Sequence, residues 1–203
     1  MTEVHARTRA LLDRVAAALD ADGRLALPDI AGWDIFPFEG DILVRRLEPP
    51  VQPEPLRHGV GAVDSGSCAD GLDGAIWTDD RWKLATPGPV PIPVVLLCPI
   101  EHLDLADLDD TYAAELGVLT VRLERALTAL GGVGRVHAMK VGDGAEHLHV
   151  WFFARPEGLL QLRGSSLSDW TDCLPPMPDD EWSAVQREIA AHVVAVAAGR
   201  ALV

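Results

Sequence analysis

The chain has 203 residues, 48% of them hydrophobic, and a mean hydropathy of +0.13, enough for one domain with a sizeable core. It carries 17 Lys and Arg against 31 Asp and Glu, a formal charge of -14, so nucleic acid is not an expected partner. No apolar run reaches the roughly 18 residues of a membrane span, no signal-like core opens the chain, and three scattered cysteines fit a reducing cytoplasm.

In chain order, Val4, Leu11, Leu12, Val15 and Leu19 recur at helical spacing and predict a first helix stopped by Gly23. From Trp33 to Asp64 the chain is irregular and rich in proline, with Ile42-Leu43-Val44 as one short strand. Pro49, Pro50, Pro53 and Pro55 predict an extended segment laid over the body. Ala75-Ile76-Trp77 and Trp82-Lys83-Leu84 flank Thr78-Asp79-Asp80-Arg81 as a hairpin. Val94-Val95-Leu96-Leu97-Cys98 is the clearest buried strand, followed by Pro99-Ile100-Glu101-His102.

A long helix is expected from Thr111 to Leu130, with Leu116, Leu119, Leu123, Leu127 and Leu130 as its apolar stripe and Gly131-Gly132 as its end. Val133–Val141 and Glu146–Arg155 read as a strand hairpin around Gly142-Asp143-Gly144. Residues 157–178 read as a loop, and a last helix is expected from Asp180 to Ala198, with Trp182, Val185, Ile189, Val193 and Val196 on one side. This order predicts one α+β domain, an antiparallel β-sheet with packed helices and extra N- and C-terminal helices. Its core spans about 74–156, flanked by a helix and proline-rich extension over 1–73 and a loop and helix over 157–203.

The stretch Glu146-His147-Leu148-His149-Val150-Trp151-Phe152-Phe153-Ala154-Arg155 carries the functional signal. In an extended chain His147, His149 and Trp151 share one face, while Leu148, Val150 and Phe152 share the other. The second face is apolar and belongs against a core. Two imidazoles and an indole on the first face suit a nucleophile with its partner, or two ligands of a metal.

Those residues resemble the histidine-triad (HIT) superfamily of nucleotide hydrolases and transferases, whose strand reads His-φ-His-φ-His-φ-φ, with φ apolar. The match is His147-Leu148-His149-Val150-Trp151-Phe152-Phe153. Val94 to His102 resembles the family's strand ending in Pro-x-x-His, and Thr111–Leu130 its helix. The resemblance covers Gly74 to Pro156, about two fifths of the chain. It departs from the pattern where Trp151 stands for the third His and Asp143 for a common Gln.

The resemblance implies nucleotidyl hydrolysis or transfer at an α-phosphorus, with His149 as nucleophile and His147 beside it in the same pocket. A nucleotide or nucleotide-derived small molecule is then the expected partner, and a homodimer the expected assembly. Trp151, Asp143, His102 and Arg155 are the candidate substrate contacts, and one of Trp77 and Trp82 is expected to line the pocket. Two alternatives stay open: a HIT-like binding protein without turnover, and a His-ligated metal site. No ligand set is fixed by spacing, so no metal residue is assigned, and zinc is the cofactor that such a site would take.

Overall fold

A computed structural model describes residues 5–26, 38–39, 43–44, 55–60, 71–162, 164 and 167–203. The first helix, α1, is Ala6–Ala18. A two-stranded antiparallel ribbon follows, β1 (Phe38–Glu39) and β2 (Leu43–Val44). Six strands then build the main sheet: β3 (Ala75–Thr78), β4 (Trp82–Ala85), β5 (Val94–Pro99), β6 (Val133–Met139), β7 (Val150–Pro156) and β8 (Arg200–Ala201). Their order is β6-β7-β5-β4-β3-β8, and each neighbouring pair is antiparallel. The remaining helices are α2 (Asp110–Thr128), α3 (Leu167–Cys173) and α4 (Asp179–Val196). Trp33, Cys68 and most of the proline-rich segment, Pro49 to Pro53, lie outside the described residues.

One face of the sheet is covered by α2 and α4. Trp82, Leu84, Val95, Leu97, Phe152 and Ala154 meet Leu119, Leu123 and Leu127 of α2 and Val185, Ile189 and Val193 of α4 in one buried cluster. The helices take the predicted faces because apolar residues recur every three or four positions. Asp109 caps α2 by accepting from the Tyr112 amide at 2.8 Å. Beyond its last turn, Gly131 and Gly132 adopt φ of +73° and +66°, where a side chain would be strained, and the chain turns into β6. Val196 departs from its expected face: α4 ends there, and its side chain is exposed.

The other face is covered unevenly. Leu11 of α1 and Leu167 of α3 pack with Val94, Phe153, Leu162 and Leu174 over the Val94–Phe153 end of the sheet. Arg7 and Arg14 tie α1 to α4 through Glu188 and Glu181. Among the described residues, the adjacent part of this face, toward Leu96 and Trp151, is left open.

Three local expectations change. The strand carrying the histidines starts at Val150, not Glu146: the Leu148 amide bonds the Leu103 carbonyl at 2.8 Å and so leaves the β5–β7 ladder. Residues 157–178, expected as a loop, contain α3, whose single buried Leu167 gives too short an apolar pattern to show helical period. The short β8 adds an edge to β3, a pairing set by where α4 returns the chain.

Candidate functional site

Alternation along three adjacent strands builds the floor of the open region. Lys83 pairs with Cys98, and Ala85 with Leu96, across β4 and β5. Leu96 in turn pairs with Trp151 across β5 and β7. Continuing that register by one residue sets His149 opposite Cys98. Two rows therefore cross the sheet, Lys83–Cys98–His149 and Ala85–Leu96–Trp151, and all six residues line one cavity of about 700 Å³. Among the described residues, the turn at Asp73 and Gly74, the Thr86-Pro87 connection and the loop through Val141, Gly144 and Ala145 form its walls.

His149 is half-buried, and its imidazole is hydrogen-bonded to the backbone of His147. Burial pushes the imidazole below its ordinary value, against the opposing pull of that backbone bond, and the positive charge of Lys83 adds to the lowering. The neutral, nucleophilic form is therefore favoured at neutral pH.

His147 takes a different place from the one expected. It is 3% exposed and does not line the cavity; its Nε2–H donates to the Pro99 carbonyl at 2.9 Å. Burial lowers its value to about 4, against that hydrogen bond, with His149, His102 and Lys83 adding to the effect. The His147 ring lies 5.3 Å from that of His149 and 5.2 Å, edge on, from that of His102. Three imidazoles thus form a row, with His149 at the cavity, buried His147 in the middle and part-exposed His102 at the far end. Among the described residues the buried Nδ1 of His147 and Nε2 of His102 have no hydrogen-bond partner.

Trp151 lines the cavity and stacks on Phe153 at 5.9 Å and 14° between planes. Asp143 and Arg155 are not brought to the cavity. Asp143 is exposed and lies near Arg57. Arg155 is buried further along β7, donating to the carbonyls of Pro156 and Leu159 at 3.0 and 3.3 Å, where it closes the turn after the strand. Trp77 and Trp82, one of which was expected at the pocket, are both fully buried, in the core on the other side of the sheet.

Two residues of the site escape sequence reading. Arg57 donates to Asp104 Oδ2 at 2.6 Å and to the carbonyls of Gly142 and Ala145 at 2.9 and 3.4 Å. His58 exchanges backbone hydrogen bonds with Gly144 and Glu146, so the 55–60 segment holds the 141–146 wall in place. Burial pushes the Asp104 carboxyl up, but Arg57, the Leu105 amide and Lys140 together carry it below the usual carboxylate range. No local motif announces Arg57. Lys83 does leave a signal: it alternates with Trp82 and Leu84, so it must face the opposite side of β4. Among the described residues, no group of three His, Cys, Asp or Glu is placed to hold a metal ion.

Compared with solved structures, the chain matches a histidine triad protein from Marinobacter aquaeolei at a TM-score of 0.50 and 15% identity, over 63% of this chain and 95% of that one. The fold is that of the histidine-triad proteins. HIT proteins from Sinorhizobium meliloti (TM-score 0.49, 19% identity, 63% and 94% covered) and Bradyrhizobium japonicum (0.48, 23%, 60% and 88%) also align. No family model matches this sequence, and no curated protein does. In this HIT-like chain the family-like histidine segment brings His149 to the floor of the cavity, while α1 and α3 cover the neighbouring surface.

Proposed function

We propose that this protein is a nucleotidyl hydrolase or transferase that acts at an α-phosphorus through a covalent bond to His149. The position of His149 carries the reading. It is the only imidazole lining the cavity among the described residues, and a backbone hydrogen bond fixes its ring. A ring so held presents one nitrogen to the protein and the other to a ligand.

In the step proposed, the free ring nitrogen of neutral His149 attacks phosphorus. A P–N bond forms, the bond from phosphorus to the leaving group breaks, and the leaving group departs with the electron pair. The phosphorylated imidazole carries a positive charge, which the His147 carbonyl stabilises. Water or another acceptor hydroxyl then attacks phosphorus, the P–N electron pair returns to the ring, and the acceptor's proton passes to solvent. Buried His147, with part-exposed His102 beyond it, supports His149 from behind. Trp151 offers its ring to a base.

Nucleotide release is measured for the wild type and His149→Ala on adenosine phosphoramidate, dinucleoside polyphosphates and nucleotide sugars. Turnover is expected to fall by about 1,000-fold or more when the nucleophile is removed. Undiminished turnover in His149→Ala rejects the covalent step. Absence of both turnover and nucleotide binding in the wild type rejects the nucleotide reading altogether.

A further inference from the structure

Lysine is scarce in this chain: Lys83 and Lys140 are its only two, the other 15 of its 17 Lys and Arg being arginines. Lys140 is exposed, with its Nζ 3.5 Å from Asp104. Lys83 is 3% exposed on the floor of the cavity. A buried ammonium costs several kcal/mol unless its surroundings compensate. Among the described residues its Nζ donates to one acceptor, the Gly71 carbonyl, at 2.5 Å. Packing gives no reason for a lysine there, because Trp82 and Leu84 on either side supply the core face of β4 and a valine would suit the strand at no desolvation cost.

Its neighbours supply a reason. Lys83 shares the Cys98 row with His149, two inter-strand steps of about 4.8 Å away. The next row, about 7 Å along the strands, is apolar: Ala85, Leu96 and the Trp151 ring. The cavity is therefore polarised, with cation and imidazole at one end and an indole and aliphatic wall at the other. Among the described residues its one lining carboxylate, Asp73, is exposed in the turn that follows Gly71.

We propose that Lys83 is a phosphate-binding residue, holding the phosphoryl group opposite His149 while the base of a nucleotide lies over Leu96 against Trp151. This rests on the histidine-transfer reading above and names the cation that Trp151 does not supply. Lys83 neutralises the non-bridging oxygens by hydrogen bonding and gives up no proton. The electron pair still leaves with the leaving group.

The test reads binding, not turnover. Wild type, Lys83→Met and Lys83→Arg are titrated with the four nucleoside monophosphates and their four nucleosides. At least one monophosphate is expected to bind the wild type about 10-fold or more tighter than its nucleoside. Lys83→Met should lose that preference with nucleoside affinity unchanged, and Lys83→Arg should keep part of it. A preference that survives in Lys83→Met, or none in the wild type, overturns the proposal. Parallel loss of nucleoside affinity would make Lys83 a brace for the 71–74 turn and overturn it equally.

A second measurement needs no variant. Amine acetylation of the wild type is followed by mass spectrometry, with Lys140 as the internal reference. Monophosphates and inorganic pyrophosphate should slow modification of Lys83 relative to Lys140, and nucleosides should not. Equal rates with and without phosphate reject the proposal. Failure of the transfer reading is separate: it appears as turnover that survives His149→Ala.

Discussion

Buried imidazoles dominate this site, and their protonation couples the site to folding. In the folded chain His147 sits at about 4 against an ordinary 6.5, chiefly because burial disfavours its charged form. Between those values the unfolded chain binds more protons than the folded one. Stability is therefore complete above about pH 6.5 and is lost as pH falls toward 4. His149 is shifted in the same direction and adds to the slope. Urea unfolding at pH 7 and at pH 4.5 should differ by on the order of 2 kcal/mol from this source. His147→Gln should flatten that difference, and an unchanged difference would assign the loss to other groups.

Among the elements, β8 meets β3 just after a position that only glycine fits. Gly199 adopts φ +111°, and a Cβ there would run into the Thr78 carbonyl oxygen and lie 2.9 Å from the Trp77 ring. Both the backbone conformation and the close approach demand glycine. Gly199→Ala is expected to cost about 2 kcal/mol or more in denaturant unfolding. Amide exchange should rise first at Trp77 and Thr78, which pair with β8. A variant as stable as wild type would show that β8 contributes nothing to the sheet. The larger elements were legible in the sequence because each has a strong period: α2 as leucines at helical spacing, β5 as an unbroken apolar run. The beginning of β7 was not, since His147 and Leu148 alternate correctly yet bond to Pro99 and Leu103 instead of to the ladder.

Over the whole molecule, a formal charge of -14 surrounds a cavity proposed to take an anion. Long-range repulsion slows the approach of such a ligand, and salt screens it, since the Debye length falls from about 30 Å at 0.01 M to about 10 Å at 0.1 M. Local attraction to buried Lys83 is screened much less. The association rate of a nucleoside monophosphate should therefore rise with added salt over this range, measured by stopped-flow fluorescence of the tryptophans. A rate that falls steeply would mean that a positive field outside the cavity guides the ligand. Architecture acts at the same scale: α1 and α3 close one end of the sheet's second face, so the cavity exists where their cover stops.

Periodicity and motif were enough to establish the α+β class, the main helices and strands, and the likeness to the histidine-triad fold. These properties are local, written in the alternation of a strand and the 3.6-residue repeat of a helix. Tertiary structure alone decided which imidazole meets the cavity. His149 remains on its floor, whereas a bond to Pro99 takes His147 inward. It also decided that Lys83 joins His149, that Arg57 holds the wall, and that Asp143 and Arg155 stand apart. These outcomes depend on the register among β4, β5 and β7 and on where other elements bring their carbonyls. Such contacts are set by packing, and nothing in the order of residues along one strand encodes them.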